Sequence, residues 1–404
     1  MTNKTKNHLA ETYNVDDDHE QSNKLPKVFL ITRDDPNAGF FAYVTFAMNQ
    51  LILCEKSKQV PVVYFGQGPE HCRHPFYDPA YGENVWEYYF EPAAEYSYDD
   101  LQKMVRDPAC PLTEDDITSL SSDESLRLHL WEPDSVFNYP YGYYKDKYVF
   151  DEQWYEDQRR KAHHVIQRYI KVKPHIQEKV EEFCRDHFQD NHVLGVHIRG
   201  TDKGTADCHP RLSRIVRPRE YFPLIDRYTA KHGPCRIFVA TDQKQFVEEM
   251  RSRYGGRIIS RDVVRSDSIV NTFQKRERHG YAIGEEVLLD CLILSRCDFL
   301  LKCTSAVGEY AIYFNPKLRC IDVNHDIQDR FHSVKRILKK IKGEFTDART
   351  EISQASGHVL LSLKQDGFDI KIRPDNITVR KGDFEEVFRS NGAVQDFGRR
   401  RRAS

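Results

Sequence analysis

At its centre the chain reads Val193-Leu-Gly-Val-His-Ile-Arg-Gly-Thr-Asp-Lys-Gly-Thr-Ala-Asp207, a short apolar run followed by a polar loop. Residues 193–198 have the composition of a strand that is buried on both faces of a parallel sheet. Gly200 and Gly204 free the backbone of the loop to bend. Because ligands bind beyond the carboxyl ends of strands in open α/β sheets, this loop is the expected position of a site. A solvated loop at a strand end is the alternative interpretation.

Predicted strands and helices alternate downstream of this stretch. Apolar runs predict strands at 236–241, 257–260, 298–301 and 319–323, and helical spacing predicts helices at 219–231, 243–254, 284–296 and 305–314. This alternation predicts a Rossmann-like parallel sheet. The chain contains neither Gly-x-Gly-x-x-Gly nor Gly-x-x-x-x-Gly-Lys-Ser/Thr, so we expect neither a dinucleotide cofactor nor a P-loop.

The N-terminal half begins with a βαβ pattern, in which strands at 27–32 and 60–65 flank a helix at 42–55. Residues 66–151 are rich in Tyr, Pro and acidic side chains. Such a segment forms either an aromatic wall for a sugar or an insertion that is closed by its own packing. A helical stretch at 151–189, broken at Pro174, then leads into the central strand.

The composition argues against several classes of protein. With 60 basic and 62 acidic residues the net charge is −2, so nucleic acid is not an expected partner. The chain has no run of 18 apolar residues and starts with a polar segment, so we expect neither a membrane span nor a signal peptide. The expected location is therefore the cytoplasm. The ten cysteines form no Cys-x-x-Cys pair, as expected of reduced thiols. His71-Cys-Arg-His74 and His163-His164 lack partners at zinc-site spacing.

The His-x-Arg-x-Thr-Asp-Lys motif at 197–203, directly after a Val-x-Gly-Val strand, resembles the signature of a family of fucosyltransferases. This family includes the core α1,6-fucosyltransferase of N-glycans and the rhizobial nodulation enzyme. Later segments resemble the same family in the same order, namely Ile237–Asp242, Glu286–Asp290 with Leu294–Leu301, and Lys302–Ser305. The resemblance covers roughly residues 190 to 325.

The resemblance implies an inverting transferase that moves L-fucose from GDP-β-L-fucose to a hydroxyl of a glycan or glycoconjugate acceptor. Together with the predicted elements, it implies an α/β fold with two Rossmann-like domains facing a cleft (GT-B-like) and a small C-terminal β appendage. The expected divisions are a disordered tail (1–24), an N-terminal acceptor-side domain (25–175), a C-terminal GDP-sugar-binding domain (176–345), and the β appendage with a basic tail (346–404).

Several residues are expected to bind the sugar donor. Arg199 would stabilise the charge that develops on the β-phosphate, as the resemblance also implies. Thr304 and Ser305, at the start of a helix, are placed to hold the pyrophosphate. Asp290 would accept from guanine N1–H and the exocyclic amine, and His197 would position the base or ribose. The resemblance adds Asp242 and the loop glycine Gly39 to this set.

Two further residues, Asp207 and Lys203, belong to the expected catalytic group with Arg199, and Asp202 is a further expected donor-binding residue. In the family a carboxylate four residues after the motif lysine is the proposed base, and Asp207 stands at that offset with a shorter side chain than the family's Glu. Lys203 would orient or polarise this carboxylate, and Asp202 would brace Arg199. No metal is expected, because no Asp-x-Asp follows a strand and cationic side chains can replace the ion.

Two departures from the family pattern leave the acceptor and the sugar open. Gly200 stands where the core fucosyltransferases carry a second arginine, and residues 208–219 form a longer insert. A transferase of another GDP-sugar, such as rhamnose or mannose, is one alternative. A protein that binds a nucleotide sugar or glycan without turnover is the other.

Overall fold

The structure, a computed structural model, describes residues 27–32, 38–66, 74–109, 112–121, 124, 152–200, 215–267 and 280–324, and the backbone of five strands between residues 351 and 389. The tail at 1–24 and the motif residues Asp202, Lys203 and Asp207 lie outside the described residues. Every helix within the described ranges is too short or too polar to cross a membrane.

The N-terminal half contains a three-stranded parallel sheet with the order β2-β1-β3. Its elements are β1 (Val28–Ile31), α1 (Phe40–Ser57), β2 (Val60–Val63), α2 (Trp86–Tyr89), α3 (Tyr98–Arg106) and β3 (Ile117–Ser119). Val28 pairs with Val60 across β1 and β2, which confirms the predicted βαβ unit. Helix α1 is apolar on nearly all sides because it is buried between neighbours, and it ends where Lys58 adopts a left-handed conformation.

Two helices, α4 (Glu152–Tyr169) and α5 (Pro174–His187), lead into the second sheet. The predicted break at Pro174 is confirmed, since this proline occupies the first turn of α5, where its missing N–H costs nothing.

The second sheet has five parallel strands in the order β6-β5-β4-β7-β8. Its elements are β4 (Val193–Ile198), α6 (Pro218–His232), β5 (Arg236–Thr241), α7 (Lys244–Tyr254), β6 (Ile258–Ile259), α8 (Gly280–Ser295), β7 (Phe299–Lys302), α9 (Ala306–Phe314) and β8 (Arg319–Asp322). All six residues of β4 are buried, as the composition of this central strand predicts. The carboxyl ends of these strands lie at one edge, so the residues that follow them are brought together.

One hydrophobic cluster runs from β1 and α1 to α8 and α9 and joins the described parts of the two sheets. The ring of Phe41 stacks on Tyr310 with centroids 4.4 Å apart, and Tyr310 also shares a 2.7 Å hydrogen bond with Thr45. Tyr88, Tyr89 and Phe90 belong to the same cluster, so this part of the aromatic segment serves packing. The aromatic residues at 138–144 lie outside the described residues, and the domain boundary near residue 175 stays a prediction.

The five C-terminal strands form an antiparallel sheet in which each strand pairs with the next. They are β9 (Glu351–Ala355), β10 (His358–Gln365), β11 (Phe368–Ile372), β12 (Asn376–Lys381) and β13 (Phe384–Arg389). The alternating apolar residues at 359–363, 368–372 and 377–380 predict the middle three of these strands from sequence.

Candidate functional site

Polar side chains follow all five strands of the second sheet at its carboxyl edge. They are Arg199 after β4, Asp242 after β5, Arg261 and Arg265 after β6, Lys302 and Thr304 at the end of β7, and Asp322 and Asn324 at the end of β8. This edge is where open α/β sheets bind ligands.

Arg199 and Asp242 form an ion pair at the centre of this edge. The distance from Arg199 Nη1 to Asp242 Oδ2 is 3.1 Å, and the side chains are 21% and 10% exposed. The other carboxylate oxygen accepts the backbone N–H of Gly200 at 2.9 Å. Asp242 therefore holds the arginine and the turn that follows it, and the predicted brace Asp202 lies outside the described residues.

His197 is buried beneath the start of α9. Its carbonyl accepts the Tyr221 hydroxyl at 2.8 Å and the Cys303 N–H at 3.2 Å, and its ring Nδ1 lies 3.9 Å from Cys303 Sγ. A Cβ at Gly308 would come within 3.1 Å of the same ring nitrogen, so this glycine lets α9 approach β4. The ring is thus fixed by packing, and its predicted contact with the base or ribose stays a prediction.

Four buried or partly buried charges form a network below the loop that follows β7. Lys302 Nζ lies 2.9 Å from Glu309 Oε2 and 2.6 Å from Asp322 Oδ2, and Arg159 Nε lies 2.6 Å from Glu309 Oε1. Burial raises the pKa of Glu309, but the charges of Arg159 and Lys302 outweigh it and bring the pKa to about 2. The network carries no net charge and ties α4 to the end of β7.

This network also orients the loop that was expected to hold the pyrophosphate. The Thr304 hydroxyl donates to Asp322 at 3.3 Å, and the Thr304 N–H donates to Asn324 Oδ1 at 2.9 Å. Ser305 is the N-cap of α9 and makes no side-chain capping bond. Among the described residues, the buried Nδ2 of Asn324 has no hydrogen-bond partner. An unpaired buried amide donor is costly, so this group is a candidate ligand contact.

Asp290, the expected guanine contact, lies in α8 and pairs with an arginine that the sequence reasoning missed. Arg261 Nη1 donates to Asp290 Oδ1 at 3.1 Å and to the Glu286 carbonyl at 2.8 Å. Burial raises the pKa of the Asp290 carboxyl, and the charge of Arg261 opposes this shift. Arg261 and Asn324 follow predicted strands, so the rule that singled out Arg199 would also have found them.

Gly39 lies apart from this edge, at the N-terminus of α1. Its φ of −74° is ordinary, and a Cβ there would meet nothing within 4 Å. Two residues later, Phe41 stacks on Tyr310 of α9, so α1 begins beside the helix that carries the expected pyrophosphate loop. Neither its conformation nor its neighbours require a glycine at this position.

Gly200 is required by its surroundings. A Cβ there would overlap Gln243 Cγ and lie 3.0 Å from Phe246 Cε2, so a second arginine would not fit this position unless the side chains of Gln243 and Phe246 shift. We expect Gly200→Ala to lower the free energy of unfolding by about 1–3 kcal/mol, as overpacking of a close-packed site does. Gly256→Ala is the matched control, because nothing lies within 4 Å of its Cβ position. Equal urea midpoints for the two variants would contradict the crowding argument.

The parallel sheet and its edge of arginines and carboxylates define an α/β domain of the kind that binds anionic, nucleotide-like ligands. Residues 162–338 match the family described as Alpha-(1,6)-fucosyltransferase N- and catalytic domains. This match confirms the resemblance recognised in the sequence.

A curated relative is similar in sequence to part of this chain. Nodulation protein Z of Bradyrhizobium diazoefficiens is 29% identical over 181 residues, which are 42% of this chain and 47% of the relative. The match therefore spans about half the length of that curated relative.

Similar solved structures include a crystal structure of NodZ alpha-1,6-fucosyltransferase co-crystallized with GDP, with 16% identity and a TM-score of 0.44 over 74% of this chain and 95% of that chain. Another is fucosyltransferase NodZ from Bradyrhizobium, with 14% identity and a TM-score of 0.41 over 74% and 96% of the two chains.

Proposed function

We propose that the protein transfers L-fucose from GDP-β-L-fucose to a hydroxyl of a glycan or glycoconjugate, with inversion of the anomeric carbon and without a metal ion. The observation that carries this proposal is the Arg199–Asp242 pair at the carboxyl edge of the second sheet, inside the region that matches the fucosyltransferase family. A partly exposed guanidinium fixed by a carboxylate is suited to a phosphate, which it can contact through two parallel hydrogen bonds.

Arg199 acts on the leaving group. When the bond between C1 of fucose and the β-phosphate oxygen breaks, the bonding electrons remain on the phosphate, and the guanidinium stabilises that charge. Asp242 keeps the guanidinium in place before the sugar donor arrives, which limits the reorganisation needed during the reaction. The cation of Arg199 would supply what a divalent ion supplies in metal-dependent transferases.

The start of α9 is the proposed second contact with the pyrophosphate. Its first N–H groups have no acceptor within the helix, and the helix dipole favours an anion there. Ser305 and the Nδ2 of Asn324 would donate to the same group, while Lys302 and Asp322 hold the loop from below. Asp290 would accept from guanine N1–H and the exocyclic amine, and His197 would keep the base or ribose in position.

Acceptor activation is assigned to motif residues outside the described ranges. Asp207 would take the proton of the acceptor hydroxyl while that oxygen attacks C1 from the face opposite the phosphate. The new C1–O bond forms as the old one breaks, GDP leaves, and the β-linked sugar becomes an α-fucoside. Lys203 would orient the carboxylate of Asp207, and Asp202 would support Arg199.

Isothermal titration of the full chain with GDP, UDP and ADP, with and without EDTA, tests the proposal. We expect GDP to bind most tightly and EDTA to leave its affinity unchanged. A loss of binding in EDTA would contradict the metal-independent site, and equal affinities would contradict a GDP-sugar. GDP release from GDP-fucose, GDP-mannose and GDP-rhamnose then separates transfer of fucose from transfer of mannose or rhamnose. Release from none of the three would identify a protein that binds a nucleotide sugar without turnover.

A further inference from the structure

The Arg261–Asp290 pair leaves hydrogen-bonding groups of both kinds open. Arg261 makes both of its contacts through Nη1, to Asp290 Oδ1 and to the Glu286 carbonyl. Within the described residues, Asp290 Oδ2 accepts no hydrogen bond and Arg261 Nη2 and Nε donate none. The side chains are 13% and 16% exposed, so neither is fully closed off from solvent.

The pair is held firmly at the same edge as Arg199. Arg265 Nη2 donates to the Arg261 carbonyl at 2.8 Å, and its Nε donates to the Thr241 carbonyl at 3.1 Å. Thr241 immediately precedes Asp242, the partner of Arg199. The loop that carries Arg261 is therefore fixed to the end of β5, beside the proposed phosphate contact.

An open carboxylate oxygen beside open guanidinium N–H groups matches one nucleobase edge. Guanine presents an acceptor, O6, next to two donors, N1–H and the exocyclic amine. Adenine presents the opposite order, a donor amine at C6 next to the acceptor N1. A carboxylate alone reads the two donors of guanine, while a neighbouring arginine adds a contact with O6.

We propose that Arg261 determines base specificity by donating to guanine O6 while Asp290 accepts from N1–H and the exocyclic amine. The inference rests on the proposed function, because it takes the ligand to be a GDP-sugar. With adenine the arginine would face an amine and the carboxylate would face the ring nitrogen N1, so both contacts would be lost. The pair thus selects the base, and Arg199 binds the phosphates of any nucleotide that enters.

A purely structural role for Arg261 makes a different prediction. Its bond to the Glu286 carbonyl ties the loop to α8, and losing that bond would weaken every nucleotide to a similar extent. Loss of an O6 contact weakens only ligands that carry a good acceptor at C6. The ratio of the affinities for two ligands, one with and one without a good acceptor at C6, therefore separates base recognition from a structural role. The affinity for one ligand alone does not.

The test compares GDP with 6-thio-GDP, in which sulfur, a weak acceptor, replaces O6. We expect the unaltered protein to prefer GDP by about 10-fold or more, the discrimination of one good base contact. Arg261→Met should bind both ligands with nearly equal affinity, and Arg261→Lys, which keeps one donor, should show an intermediate ratio. Arg257→Met is the matched control, because Arg257 donates to the Cys235 carbonyl at 3.0 Å, away from the site.

Each outcome has one meaning. If Arg261→Met and Arg261→Lys both keep the ratio of the unaltered protein while GDP remains the preferred nucleotide, the inference is overturned and the proposed function stands. If the unaltered protein does not prefer GDP to ADP and UDP, the proposed function fails and the inference fails with it. The affinity for GDP divided by that for inosine diphosphate, which lacks the exocyclic amine, is a second ratio. Asp290→Asn should reduce this ratio.

Discussion

Replacing Arg199 with alanine is expected to lower kcat/KM for fucosyl transfer by about 10²- to 10³-fold, the usual effect of removing one group that stabilises developing charge. The guanidinium follows the end of β4 directly, where the phosphate is proposed to lie, and its loss also removes the 3.1 Å ion pair with Asp242. Arg199→Lys keeps the charge and loses the planar fork, so we expect a smaller loss. GDP released from GDP-fucose, with water or a glycan as acceptor, is the quantity to measure.

The control for this experiment is an arginine with a similar pairing at the surface. Arg253 Nη2 pairs with Asp226 at 2.5 Å, and these side chains are 47% and 45% exposed. Arg253→Ala should leave kcat/KM nearly unchanged, because an exposed ion pair contributes little. Similar activities for Arg199→Ala and Arg253→Ala would remove Arg199 from the proposed mechanism.

The second sheet could be predicted from sequence because its signals are local. The composition of residues 193–198 predicts the buried central strand at the bounds that the structure gives it. The edge strand β6 is only two residues long, against four in the prediction, and pairs with β5 through Ile258 and Ile259. The positions of site residues after the strands follow from the same pattern.

The pairings within the site could not be predicted, because they depend on the register of the sheet. Ile198 pairs with Thr241, so the residues that follow them, Arg199 and Asp242, emerge side by side. Reasoning along the chain named Asp202 as a brace for Arg199 and did not pair Arg199 with Asp242. The contact of Arg159 with Glu309 depends in the same way on how α4 packs against α9, which no local pattern encodes.

The network around Lys302 leads to the largest expected effect on stability. Lys302→Met leaves the buried carboxylates of Glu309 and Asp322 with Arg159 as the remaining cation of the network. Removing one partner of a buried ion pair leaves the other charge buried without compensation for its desolvation. We therefore expect the free energy of unfolding to fall by about 3–5 kcal/mol. Urea unfolding measures this change. Lys103→Met, which removes a 77% exposed partner of Asp100, is the control and should change little.

The acid side of the stability profile provides an independent check of the same network. The pKa of Glu309 lies at about 2, below its ordinary value of 4.5, so its contribution is present above pH 4.5 and is lost as pH falls toward 2. Lys302→Met removes one of the two cations that hold this pKa down. The variant should therefore begin to lose stability at a higher pH than the unaltered protein, while Lys103→Met keeps the original profile. Coincident acid profiles for all three proteins would mean that Lys302 does not stabilise the charged form of Glu309.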